Sequence, residues 1–144
     1  MTPPPTVSID QQKRDSEHIR LLSIFHFVVA GLALFGIAFL VLHYLMMSTI
    51  FTNPDLWKSQ KNPTPPPKVI LDVFVWFYAF GAIVLVVACV LNVLSGLFLW
   101  RKRHRVFSIV IGGLNCVQIP FGTVLGVFTI VVLSRDSVRE LYGG

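Results

Sequence analysis

Apolar residues in this chain come in long unbroken runs, and the charged residues are confined to the gaps between them. Leu21 to Phe51 is 31 residues without Asp, Glu, Lys or Arg, Val73 to Trp100 is 28, and Val106 to Ser134 is 29. A helix needs about 20 apolar residues to cross a hydrocarbon core of about 30 Å, so each run is long enough even when tilted. Only helices and closed barrels satisfy the backbone in lipid, and no ten-residue alternation suggests a barrel. The pattern predicts an all-α integral membrane protein with a single membrane domain over residues 19–134. Within it, two long transmembrane helices are expected over 19–50 and 69–100. A third apolar segment is broken at Pro120 into helices over 106–119 and 120–134.

The flanks read differently. Residues 1–18 are polar and open with prolines, which predicts a mobile cytoplasmic tail turning helical near Ser16, with Ser16-Glu17-His18-Ile19 as a cap. Residues 51–68 contain Asn53-Pro54-Asp55, a turn signal, and then Pro63-Thr64-Pro65-Pro66-Pro67. That run favours a stiff polyproline II spacer and predicts an external loop. Residues 135–144 form a short charged tail. The first apolar run is twice the length of a signal-peptide core and lacks a small-x-small cleavage site. Residue 2 is Thr, where myristoylation requires Gly, and no prenylation Cys follows. Anchoring by helices alone is the expectation.

Composition strengthens this picture. Only 13% of the 144 residues are charged and 54% are hydrophobic, with a mean hydropathy of +0.72. A soluble domain carries roughly a quarter charged residues. The composition excludes a soluble globular enzyme, a disordered chain and a disulfide scaffold. Orientation follows from Lys and Arg near the helix ends. Arg101-Lys102-Arg103-His104-Arg105 is the densest cluster, which puts that turn and the chain's start in the cytoplasm and the 51–68 loop outside. Trp57, Phe51 and Trp76 then belong to the outer interface and Trp100 to the inner one.

The third segment allows two topologies. One kinked crossing leaves seven Lys and Arg inside and five outside, whereas a reversal at Ile119-Pro120-Phe121-Gly122 gives nine and three. The charge rule favours the re-entrant hairpin. Each half of it is about 14 residues, roughly 21 Å, too short to span. A single kinked third span is the alternative.

Chemistry-bearing residues are sparse. No carboxylate lies inside any of the three runs, and no phosphate loop, zinc spacing or nucleophile–base pairing is present, so no catalytic residue and no metal site are expected. Cys89 and Cys116 read as packing thiols. His26 and His43 are the remaining candidates for haem or chlorin ligation. They are about 260° apart around the first helix and lack a facing histidine on the second, so no cofactor is expected. His26 reads instead as a polar contact. The polar and small residues Asn92, Ser95, Asn115, Gln118, Pro120, Gly122 and Gly126 read as helix-packing or polar contacts, since helices in lipid associate through small residues and interhelical hydrogen bonds. Gly81 and Ala88 precede Ser95 at intervals of seven. Counted from the basic turn, Asn92 and Asn115 lie at nearly equal depth, about 14 and 15 Å, so they should face one another, with Gly112 and Gly113 allowing close approach. Arg101, Lys102, Arg103 and Arg105 are expected at anionic lipid headgroups, with no nucleic-acid role.

The run from Arg101-Lys102-Arg103 through Gly113-Leu114-Asn115-Cys116 to Pro120-Phe121-Gly122-Thr123-Val124-Leu125-Gly126 resembles the C-terminal module of small uncharacterised bacterial membrane proteins. Those proteins carry a basic turn and a Pro-x-Gly-Thr-x-Leu-Gly motif. The likeness covers residues 96–141 and implies a bacterial cytoplasmic membrane location, but no activity. The sequence thus leads to a non-enzymatic structural or accessory subunit that packs against a larger membrane complex or itself. A small-solute or ion pathway through Asn92, Asn115 and Gln118 is the competing class.

Overall fold

The computed structural model describes residues 8–55, 68–118 and 120–142. Five helices are named here: α1 (Ile9–Thr52), α2 (Lys68–Trp100), α3 (Arg105–Asn115), α4 (Phe121–Leu133) and α5 (Asp136–Leu141). No strand occurs among the described residues. Two of the helices, α1 and α2, are long and apolar enough to span a membrane. The proline-rich run, Trp57 and residues 1–7 lie outside the described residues.

α1 begins ten residues before the expected 19, at Ile9. Ser16 is therefore interior to the helix and caps nothing. Ser8 does so instead: its side-chain oxygen accepts from the Gln11 backbone N–H at 3.3 Å, the usual N-cap geometry. The stretch read as tail is also partly buried. Asp15 is only 2% exposed and pairs with Arg135 at 3.5 Å. The residues after 134 are likewise more than a charged tail, because α5 forms there and its Val138 is fully buried.

α2 ends in a turn that the basic residues build themselves. The Arg103 N–H donates to the Phe98 carbonyl at 2.9 Å, and the Lys102 N–H to that of Leu99 at 3.1 Å. This is the Schellman pattern, whose reversal residue adopts the left-handed region and is usually glycine. Here it is Lys102, at φ 49°, and His104 follows at φ 50°. A non-glycine residue there costs roughly 1–2 kcal/mol.

The third apolar segment is two helices. Arg105 contacts Leu133, Gly112 meets Gly126, and Asn115 lies against Gly122. Numbers rise on α3 as they fall on α4, so the pair is antiparallel. Two glycines make the approach possible. A Cβ on Gly126 would sit 2.2 Å from the Gly112 carbonyl oxygen, and one on Gly122 would sit 2.4 Å from that of Asn115. Gly113 departs from expectation, since a Cβ there meets nothing within 4 Å. Gly112, one residue earlier, is the one that faces Thr129 and Gly126.

The chain divides into two compact units, residues 1–31 with 90–144, and residues 32–89. The first holds a core of Ile19, Leu22, Leu99, Leu125, Val132, Leu133 and Val138. The second is organised by aromatic rings. Phe74 and Tyr78 lie 4.6 Å apart by centroid, Phe51 sits edge-on to Phe74, and Tyr44 tilts against Tyr78. Gly81 lets the Leu40 side chain approach within 3.1 Å of where its Cβ would lie.

Candidate functional site

Buried positions in the first unit recur at helical intervals on every element. They are Ile19, Leu22, Ser23, His26 and Ala30 on α1, and Asn92, Ser95, Gly96 and Leu99 on α2. On α3 they are Ser108, Ile111, Gly112 and Asn115. Gly122, Leu125, Gly126 and Thr129 follow on α4. Each set steps by three and four and so lines one face. These inward faces carry the small and polar residues, while Phe25, Val28, Leu97 and Val110 face outward.

At the centre lies a four-residue polar cluster. The Asn92 Nδ2 donates to Asn115 Oδ1 at 3.2 Å, and the Asn115 Nδ2 donates back to Asn92 Oδ1 at 2.8 Å. His26 Nδ1 lies 3.0 Å from the same Asn92 oxygen. Because that oxygen can only accept, Nδ1 must carry a proton and donate. Thr129 donates to the Leu125 carbonyl at 2.7 Å, and its oxygen lies 3.4 Å from His26 Nε2. All four residues are at most 3% exposed. Ser23 adds a further tie, donating to the Gly96 carbonyl at 2.7 Å. Gly96 in turn takes the edge of the Phe27 ring at 3.1 Å from where a Cβ would be.

The depth count thus leads to the two amides that meet, but the cluster is larger than the count implies. His26 and Thr129 join it, and helical spacing on α1 was the available signal, since His26 follows Ser23 by three. Gln118 does not join. It is exposed in the turn between α3 and α4, where its backbone carbonyl accepts from Gly122 at 2.8 Å. Pro120 is exposed just before α4. Ser95 and Ser108 are fully buried with hydroxyls that find no hydrogen-bond partner among the described residues. Thr123 closes the same turn by donating to the Cys116 carbonyl at 2.8 Å.

The histidines differ in surroundings. The His26 ring is enclosed and both nitrogens face cluster partners, so ligating a haem or chlorin would require dismantling the cluster. In the second unit His43 Nδ1 pairs with the Tyr78 hydroxyl, and its ring stacks between Phe39 and Tyr78. Among the described residues no three His, Cys, Asp or Glu side chains gather as metal ligands.

The basic turn is not one uniform patch. Arg101 and Arg103 are exposed and Lys102 is half-buried. Arg105 is half-buried and also serves the fold. Its Nε donates to the Leu133 carbonyl, at the end of α4, where a cation also complements the helix dipole. Tyr142 packs beside it. Burial pushes the Tyr142 phenol up to about 12, against the smaller opposing pull of the Arg105 charge.

No family model, curated protein or solved structure matches this chain.

Proposed function

We propose that this chain is a multi-pass protein of a bacterial cytoplasmic membrane, without catalytic activity, acting as a structural or accessory subunit packed against a larger membrane complex or another copy of itself. One observation carries the reading: polarity is inverted relative to a water-soluble fold. Asn92, Asn115 and His26 are enclosed and bonded to one another, with Thr129 beside the His26 ring, while Phe35, Trp76, Phe77 and Phe80 are each more than 65% exposed. Water would not tolerate such a surface, whereas lipid or an apolar partner accepts it. The solute-pathway class loses support from the same cluster, because its amides are engaged with each other and Gln118 stands apart.

In this reading α1 and α2 span the bilayer, and the basic turn and Tyr142 are cytoplasmic. α3 and α4 would measure about 16 and 20 Å at 1.5 Å per residue, short of about 30 Å of hydrocarbon, and so form a re-entrant hairpin. Purification of the full chain in mild detergent, with mass spectrometry of co-eluting proteins, tests the role. A stoichiometric membrane partner or a stable homo-oligomer is expected, and recovery only as a lone monomer overturns it. Single cysteines at Ser59 and Arg103, in a background lacking Cys89 and Cys116, test the topology. Labelling of both from the same side overturns it.

A further inference from the structure

The first unit contains a groove of about 330 Å³ lined by Ser16, Ile19 and Arg20 of α1, by Leu99 and Trp100 at the end of α2, and by Lys102 in the turn that follows. Ile19 and Leu99 lie beneath it in the core, each at most 1% exposed, and the Trp100 indole, 56% exposed, gives it an apolar wall. Two cations and a hydroxyl complete it. The Arg20 guanidinium is held 5.5 Å over the Trp100 ring. That stacking covers one face of the planar group and leaves its N–H edge free to bind an anion in a forked geometry.

Among the described residues, neither Arg20 nor Lys102 makes an ion pair, and the nearby buried carboxylate, Asp15, is paired with Arg135. The backbone carbonyls of Leu97, Phe98 and Leu99 already accept from Arg101, Arg103 and Lys102 respectively. They are therefore removed as acceptors competing with a bound anion for the Arg20 and Lys102 donors. Lys102 supplies a separate indication. It occupies the left-handed reversal position, φ 49°, where glycine is the unstrained choice. A lysine kept in a conformation that disfavours it points to work done by its side chain, and that side chain borders the groove.

We infer that this groove binds the phosphate of an anionic glycerophospholipid, with Arg20 and Lys102 on the phosphate oxygens, Ser16 on the glycerol, and the Trp100 indole against the first acyl carbons. The inference rests on the membrane reading above and specifies its lipid partner. A free phosphate shares the anionic chemistry but has no use for the apolar Trp100 wall, whereas a phospholipid presents both parts in one molecule. Arg105, engaged with Leu133 and set beside Tyr142, is outside the site.

Native mass spectrometry of the full chain, released from mixed phosphatidylglycerol and phosphatidylcholine nanodiscs, tests this. One retained phosphatidylglycerol is expected in preference to phosphatidylcholine. Each of Arg20→Gln and Lys102→Gln should lower its retention about fivefold, while Arg139→Gln, exposed and outside the groove, should leave it unchanged. Lys102→Gly removes the cation while easing the backbone, so its loss of lipid separates charge from misfolding. Wild-type retention in both Arg20→Gln and Lys102→Gly overturns the inference. So does displacement of the lipid by inorganic phosphate at equal concentration. Carbonate extraction of the same cells separates the two levels: a chain that washes off the membrane defeats the membrane reading, and one that stays but shows no lipid preference defeats this inference alone.

Discussion

At the scale of single residues, the stability of this protein is set by how buried polar atoms are shared. Asn92 and Asn115 satisfy each other, and Asn92 also receives His26. Removing one member strands the others, which costs about 1–3 kcal/mol for a buried group left unsatisfied. Asn115→Leu is therefore expected to lower thermal stability in detergent by that amount. Combining it with Asn92→Leu should cost less than the two single changes added together, and strict additivity would show that the amides do not couple. Tyr142 is the opposite case, because its hydroxyl is buried with no hydrogen-bond partner among the described residues. Tyr142→Phe should leave stability at neutral pH unchanged or slightly raised. The pH dependence follows from the raised pKa. The fold accepts the neutral phenol, so this contribution is intact below pH 10 and lost as pH rises through about 12. A tyrosinate absorbance titration should show one of the three tyrosines titrating near 12, and that step should vanish in Tyr142→Phe.

At the scale of elements, the hairpin of α3 and α4 depends on the absence of two side chains. A methyl on Gly126 would meet the Gly112 carbonyl at 2.2 Å and the Cys116 sulfur at 2.5 Å, and backbone cannot step aside. Gly126→Ala should destabilise the protein by about 1–3 kcal/mol, the range for overpacking. Gly113→Ala, with open space around it, should be neutral or stabilising by up to about 1 kcal/mol through helix propensity. Equal effects of the two would refute the close approach. The apolar runs made the long helices legible, and the interruption at Pro120 marked where α3 and α4 part. The two glycines of the motif were legible as small residues, but Gly112 and Gly113 could not be told apart. Adjacent residues differ by 100° of rotation, and depth alone does not set rotation. The pairing of Asp15 and the existence of α5 were hidden for another reason. Both depend on burial against partners far along the chain, and a polar stretch such as 9–18 shows no sign of that by itself.

At the scale of the whole molecule, the proposed topology places every dense basic feature on one side. A reporter fused after Gly144 should therefore read as cytoplasmic, and a periplasmic reading would restore a single third span. Arg135 belongs to this scale too, since it joins Asp15 across 120 positions of sequence at 3.5 Å. That separation has a meaning in time. At roughly 5–20 residues per second, the ribosome makes Asp15 roughly 6–24 s before Arg135. Throughout that interval the carboxylate has no cation, and Ile19 lacks Val138, its companion in the same core. The early turns of α1 therefore wait in water while the rest of the chain is translated. A ribosome arrested within α4 releases a product whose opening helix is uncovered. Proteolysis at the membrane surface would then begin near Asp15 in the arrested product and spare a chain extended past Val138, so that a contact between distant residues reports that translation has passed Arg135.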